Sequence, residues 1–257
     1  LSGLYRLLNA EFGRWMAFVA LLCAGAVLVP LLLLNSAAGD AGSFANHARY
    51  EDLYAASGCP LLFLLLLALL CAYFLKSVYA GYWGSKSVYT YLTLPVRRES
   101  LYFSKLIVFA TCLLLLIAAQ IVSIRLGYEL VAAKAKAYPA GSLAMRNGLF
   151  LAFARSEFFR LLLPLNFSRI LSSCSMLLAI ATGFYYGALC ERSRKFGGFA
   201  LIAVAAFVLY RAVSFRLDEV AYTTLPRSLY PSSLALLAFS GWFVWHSLRI
   251  MRKGSIA

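Results

Sequence analysis

The side chains able to do chemistry in this chain are few, and their spacing does not assemble a reaction. Only two histidines occur, His47 and His246. No H-E-x-x-H, no G-x-S-x-G and no paired glutamates inside an apolar run accompany them, so metal-assisted hydrolysis and serine nucleophile chemistry have no visible machinery. The six cysteines, Cys23, Cys59, Cys71, Cys112, Cys174 and Cys190, show no C-x-x-C spacing. They are read as small apolar residues rather than metal ligands or a disulfide frame. One stretch imitates a phosphate loop: Gly81-Tyr-Trp-Gly84-Ser-Lys86-Ser87. A phosphate loop needs Gly directly before Lys so that the backbone can wrap the phosphates, and here Ser85 intervenes outside any βαβ unit. The expectation is a chain with no catalytic residues, no metal and no cofactor of its own.

The elements that must position these residues follow from composition. Of 257 residues 63% are apolar and 13% charged, with a mean hydropathy of +0.80. A water-soluble domain carries about 25% charge, and a disordered chain lacks this much Leu and Phe. The apolar residues come in long blocks, which excludes a membrane β-barrel, whose strands alternate. The predicted fold class is therefore an all-α integral membrane protein. About 20 apolar residues cross a bilayer core of about 30 Å. Blocks of that order lie at Trp15–Leu34, Leu53–Leu75, Leu106–Ile124, Ile170–Cys190 and Ser228–Leu248, and Phe196–Tyr210 reaches the length if extended past Arg211 to Phe215. This predicts one transmembrane domain of six helices. Leu4, Leu7, Leu8 and Phe12 share a face, so Leu1–Arg14 is expected to be an N-terminal amphipathic interfacial helix rather than a cleavable signal.

Charge placement sets the expected orientation. The net charge is +14, but the cations sit between apolar blocks, where they meet lipid headgroups. No soluble module exists to carry a basic nucleic-acid-binding face. With both termini in the cytoplasm, thirteen basic and three acidic residues lie inside against eleven and seven outside, in keeping with the positive-inside rule. Arg125–Arg169 departs from it locally. Within it Ala152–Phe167, interrupted by Arg155, Glu157 and Arg160 and broken by Pro164, reads as an interfacial or shallow re-entrant helix.

The inner loop between the second and third blocks is more than a connector. It reads KSVYAGYWGSKSVYTYLTLPVRRESLYFSK from Lys76 to Lys105. Val88, Tyr91 and Leu92 fall at i, i+3 and i+4, with Tyr89 and Leu94 beside them, and Pro95 ends the pattern. Such a stretch can lie as an aromatic helix on the lipid, or protrude as an apolar knob into a groove on a cytoplasmic partner.

The run Tyr91-Leu-Thr-Leu-Pro95-Val-Arg-Arg98-Glu-Ser-Leu-Tyr-Phe-Ser-Lys105 resembles a signature of type-2 ABC exporter permeases, which lies at their coupling helix ahead of the third span. The six-span layout resembles that family throughout. Its usual Glu and Gly upstream of the Leu-Pro pair are replaced here by Ser85-Lys86-Ser87. The resemblance implies a permease subunit that exports an amphipathic or hydrophobic substrate, peptide or lipid-like, from a bacterial cell membrane. A separate ABC ATP-binding subunit would hold ATP and Mg, and a second permease copy or a related permease would complete the transporter. Val88, Tyr89, Tyr91, Leu92, Leu94 and Pro95 would then form the docking knob, and Lys86, Arg97 and Arg98 would meet acidic groups on the partner or anionic membrane lipid. Glu191, Arg192 and Arg194, at the end of the fourth block, are either a positive-inside anchor or a second contact with that subunit. Leu217–Pro231 would cap the outer side. The alternative is a non-transporting membrane assembly or sensory protein that docks a cytoplasmic partner through the same loop.

Overall fold

The structure, a computed structural model, describes residues 2–39, 49–83, 98–136, 145, 148–164, 166–193, 196–218 and 229–252. All regular structure among them is α-helical. In chain order the helices are α1 (Ser2–Ala37), α2 (Tyr50–Ala56), α3 (Cys59–Trp83), α4 (Arg98–Ala135), α5 (Gly148–Arg155), α6 (Glu157–Leu162), α7 (Phe167–Arg192), α8 (Gly197–Asp218) and α9 (Tyr230–Arg252). Six of them, α1, α3, α4, α7, α8 and α9, are long and apolar enough to cross a membrane. Their surface agrees with that reading. Leu21, Leu32, Leu64 and Phe207 are more than half exposed, while Gln120, Ser123, Ser172 and Ser175 are fully buried. Water would not tolerate so much exposed hydrocarbon, whereas lipid does.

The helix bounds depart from the predicted blocks for local reasons. The amphipathic N-terminal stretch is not a separate element, because α1 runs unbroken through it, and Pro30 lies inside α1 without ending it. The second crossing helix starts at Cys59 rather than Leu53. Gly58 adopts φ +77°, a left-handed conformation that glycine takes without steric cost, and Pro60 suits the first turn of the helix that follows. The third helix continues past Ile124 to Ala135, 38 residues in all, or about 57 Å at 1.5 Å per residue. Its polar end is supported by Arg125–Glu129 at 2.7 Å. Ala152–Phe167 divides into α5 and α6, too short to span. Ser156 caps α6 by accepting the Phe159 N–H at 3.3 Å. Leu163 turns extended (φ −116°, ψ 92°), as the residue before a proline must.

The described chain forms two compact units. One comprises residues 17–70 and 113–164, the other 1–16, 71–112 and 165–257. In the first, Tyr50, Tyr54, Phe153 and Phe159 pack with Leu34, Ile124 and Val131. The Tyr50 hydroxyl donates to the Ile124 carbonyl at 3.0 Å, and Gln120 Nε2 donates to Tyr54 Oη at 2.5 Å. Burial pushes both phenols well above the usual tyrosine range and neighbouring Cys59 adds to it; Tyr54 and Tyr128 raise Tyr50 further, while the bond from Gln120 draws Tyr54 back part of the way. Both therefore stay neutral across ordinary pH. Lys134 Nζ donates to the Asn35 carbonyl at 2.6 Å, supplying a donor to a carbonyl near the end of α1.

Gly127 allows this packing. A Cβ built there would lie 2.6 Å from Leu34 Cδ1 and 2.9 Å from Tyr50 Oη. Gly127→Ala should therefore cost about 1–3 kcal/mol through overpacking, read as a lowered thermal unfolding midpoint in micelles. Gly25→Ala, whose Cβ would meet nothing within 4 Å, should leave the midpoint unchanged or raise it slightly.

Candidate functional site

The proposed docking knob lies outside the described residues: Lys86, Val88, Tyr89, Tyr91, Leu92, Leu94, Pro95 and Arg97 all fall in 84–97, and Arg194 also lies outside the described residues. The greater part of the expected outer cap, 219–228, is likewise outside them. Arg98 opens α4, and Glu191 and Arg192 close α7. What is described is how the two helix ends flanking 84–97 are held, both in the second unit.

The upstream end, the last turns of α3, is held from two sides. The Tyr79 hydroxyl donates to Glu191 Oε2 at the end of α7. Tyr73 donates to the Arg14 carbonyl of α1 at 3.4 Å, and its ring packs edge-on against Trp15 at 4.9 Å. The downstream end, the start of α4, is held by charge. Lys105 Nζ lies 3.3 Å from Glu11 Oε1 of α1 and donates to the Ser77 carbonyl at 3.5 Å, so one ammonium links α1, α3 and α4. Arg252 Nε reaches Glu99 Oε1 at 2.6 Å, tying α4 to α9. Below these ties the helices lock through aromatic rings: Phe74 stacks on Phe109 at 4.2 Å, and Tyr102 meets Tyr185 edge-on at 4.7 Å.

Beside the upstream tie the same unit holds a cavity of about 390 Å³. It opens because α7 presents small residues, Ala179, Gly183 and Gly187, one turn apart, and α8 answers with Ala205 and Ala206. Ile180, Phe184, Ile202, Leu209 and Phe243 supply the walls. Only Tyr79 and Glu191 bring polar side chains to the lining. Elsewhere α7, α8 and α9 pack closely. Tyr186 stacks on Phe243 at 4.8 Å and its hydroxyl meets His246 Nδ1 at 2.7 Å. A side chain at Gly198 would collide with Cys190 and with Tyr186 Oη.

Comparison with known proteins assigns none of this. No family model, no curated protein and no solved structure matches the chain.

Sequence reasoning placed Glu191 at a helix end among cations, but not against Tyr79 and not at the mouth of a cavity. A signal for the cavity was present in Gly183-Phe-Tyr-Tyr-Gly187, a G-x-x-x-G that lets helices approach closely in a membrane. The buried Glu11–Lys105 pair carried no comparable signal, because its members lie 94 positions apart.

The two ion pairs at the helix ends differ in exposure, and this sets their weights. The Glu11 side chain is 8% exposed and Lys105 19%, whereas Arg252 is 67% exposed. Removing Lys105 strands a buried carboxylate, with Arg14 still 3.7 Å away as partial compensation. Lys105→Met should cost about 1–3 kcal/mol of stability and Arg252→Ala under about 1 kcal/mol, measured as paired shifts in thermal unfolding midpoint. Equal losses would refute this ranking.

Proposed function

We propose that this chain is the permease subunit of an ATP-driven exporter, with residues 84–97 as the docking element for a separate ATP-binding subunit. The observation that carries the reading is the holding of the helix ends on either side of that segment. A segment that transmits force must be rooted in stiff elements. Here α3 is tied to α7 and α1, and α4 to α1, α3 and α9. A push delivered between them would reach helices across the unit rather than bend a loop. The resemblance of Tyr91–Lys105 to the family's coupling region adds to this. So does the apolar pattern of Val88, Tyr91 and Leu92 ahead of Leu94-Pro95.

In this reading the chain performs no chemistry. ATP and Mg sit on the partner, whose nucleotide-dependent states engage the docking element differently, because only differential contact can shift a transmembrane equilibrium. Both termini face the cytoplasm, and the cations flanking 84–97 meet the inner lipid surface or acidic groups of the partner. A second permease copy, or a related permease, encloses the pathway.

The test is co-purification. The tagged full chain, extracted from its host membranes in mild detergent, should bring down an ATP-binding-cassette subunit and measurable ATPase activity. Tyr91→Asp combined with Leu92→Asp should abolish both while leaving membrane insertion and thermal midpoint intact. Undiminished ATPase activity in the double variant would overturn the docking role.

A further inference from the structure

The cavity between α7 and α8 has a polarity that selects a ligand. At about 390 Å³ it falls within the roughly 300–1,000 Å³ of small-molecule sites. At about 30 Å³ for each water-sized group, it admits a single alkyl chain of about a dozen carbons and is too small for a whole diacyl lipid. Its walls are aliphatic and aromatic, with Gly183 and Gly187 opening the floor. Polarity is confined to one end, where the Glu191 carboxylate accepts from Tyr79 at the last turn of α7. An ionised carboxylate has acceptor capacity for about four hydrogen bonds, so the bond from Tyr79 orients the group and leaves room for a second donor. Among the lining residues Glu191 alone is charged, and it is negative, in a chain whose net charge is +14. A cationic head meeting this carboxylate would gain a charge-assisted hydrogen bond; an anionic one would find no donor in it.

We infer that the cavity binds a single-chain amphiphile with an ammonium head, its alkyl tail between α7 and α8 and its nitrogen on Glu191. As the cargo site of an exporter this rests on the permease reading, whereas the binding itself does not.

The probe is dodecylammonium carrying a photoactivatable diazirine at the tail end. It is added to the full chain in phosphatidylcholine nanodiscs, and labelled positions are read by peptide mass spectrometry. Labelling should be saturable and concentrate on 179–188 of α7 and 199–209 of α8. Unlabelled dodecylammonium should displace it at least about tenfold better than dodecyl phosphate at equal membrane-bound amounts, the discrimination of about one charge-assisted bond. Glu191→Gln should erase that preference and Glu191→Asp retain part of it. Gly183→Leu should remove the labelling by filling the cavity, with an unchanged thermal midpoint showing that the chain still folds. Even labelling over all lipid-facing helices would mean bulk lipid occupancy only. That result, or displacement indifferent to head charge, or a preserved preference in Glu191→Gln, would overturn the inference. Labelling requires no ATP-binding subunit, so its failure and the failure of co-purification are read separately.

Discussion

Helices in hydrocarbon gain little from hiding apolar surface from one another, because lipid is as apolar as they are; close approach of backbones must hold them together instead. In the unit built on α7, α8 and α9 this constraint falls on α7. Its inward face carries Ser172, Ser175, Ala179, Thr182, Gly183 and Gly187, residues small enough for neighbours to pack closely. Ser175 and Thr182 offset the burial of their hydroxyls by donating to carbonyls of their own helix at 2.8 and 2.7 Å. Gly198 continues the arrangement at the start of α8, where only a missing side chain leaves space for Cys190 and Tyr186. Where large residues on α8 and α9 do not fill the space these small residues create, a cavity is left. The same device thus gives both adhesion and a void.

Charge obeys a second constraint. Ionised groups belong at helix ends, where water and headgroups are within reach. Glu11, Lys105, Glu99, Arg252 and Glu191 all lie near the ends of long helices, and each finds a partner on a different helix. Arg249, one turn before Arg252, lies 5.6 Å from the Trp245 ring, combining an aromatic belt with its basic rim. The other unit builds its core on rings. Its core of Tyr50, Tyr54 and Phe159 is fixed by two hydroxyl-mediated bonds to α4, and short α2, α5 and α6 cover it because Gly58, Ser156 and Pro164 stop them from growing.

The number and placement of the crossing helices were legible in the sequence because length and apolarity alone decide whether a segment can span. Their ends were not. Stopping the third block at Ile124 treated Arg125 as a boundary, yet a helix continues through charges that pair at i, i+4, as Arg125 does with Glu129. Extending the second block back to Leu53 overlooked that Gly58 ahead of Cys59-Pro60 breaks a helix more firmly than an apolar run sustains one. The fifth block looked short because Arg211 interrupts it. It reaches Asp218 with Arg211 exposed and Arg216 buried, donating to Ser173 Oγ at 2.8 Å, a partner on α7 that no local pattern announces. For the candidate site the division is similar. The knob of 84–97 was read from spacing and lies outside the described residues. The ties around it and the cavity beside it come from pairs far apart in the chain, which periodicity does not see.

Tyr79 joins these threads. It stands five residues before 84–97 and donates to the carboxylate at the cavity mouth. Under the two proposals, an ammonium head arriving at Glu191 shares its carboxylate with Tyr79, and so alters how firmly the end of α3 is held. Linkage makes that effect reciprocal. A partner that shifts the docking element, and with it α3, must change the affinity of the mouth for its ligand by the same free energy. That free energy is at most the worth of one hydroxyl-to-carboxylate bond, roughly 1.5–3 kcal/mol, which bounds the effect at about tenfold to a hundredfold in either direction. Cargo sensing and mechanical coupling would then need no long pathway, because the residue that anchors the lever also faces the site.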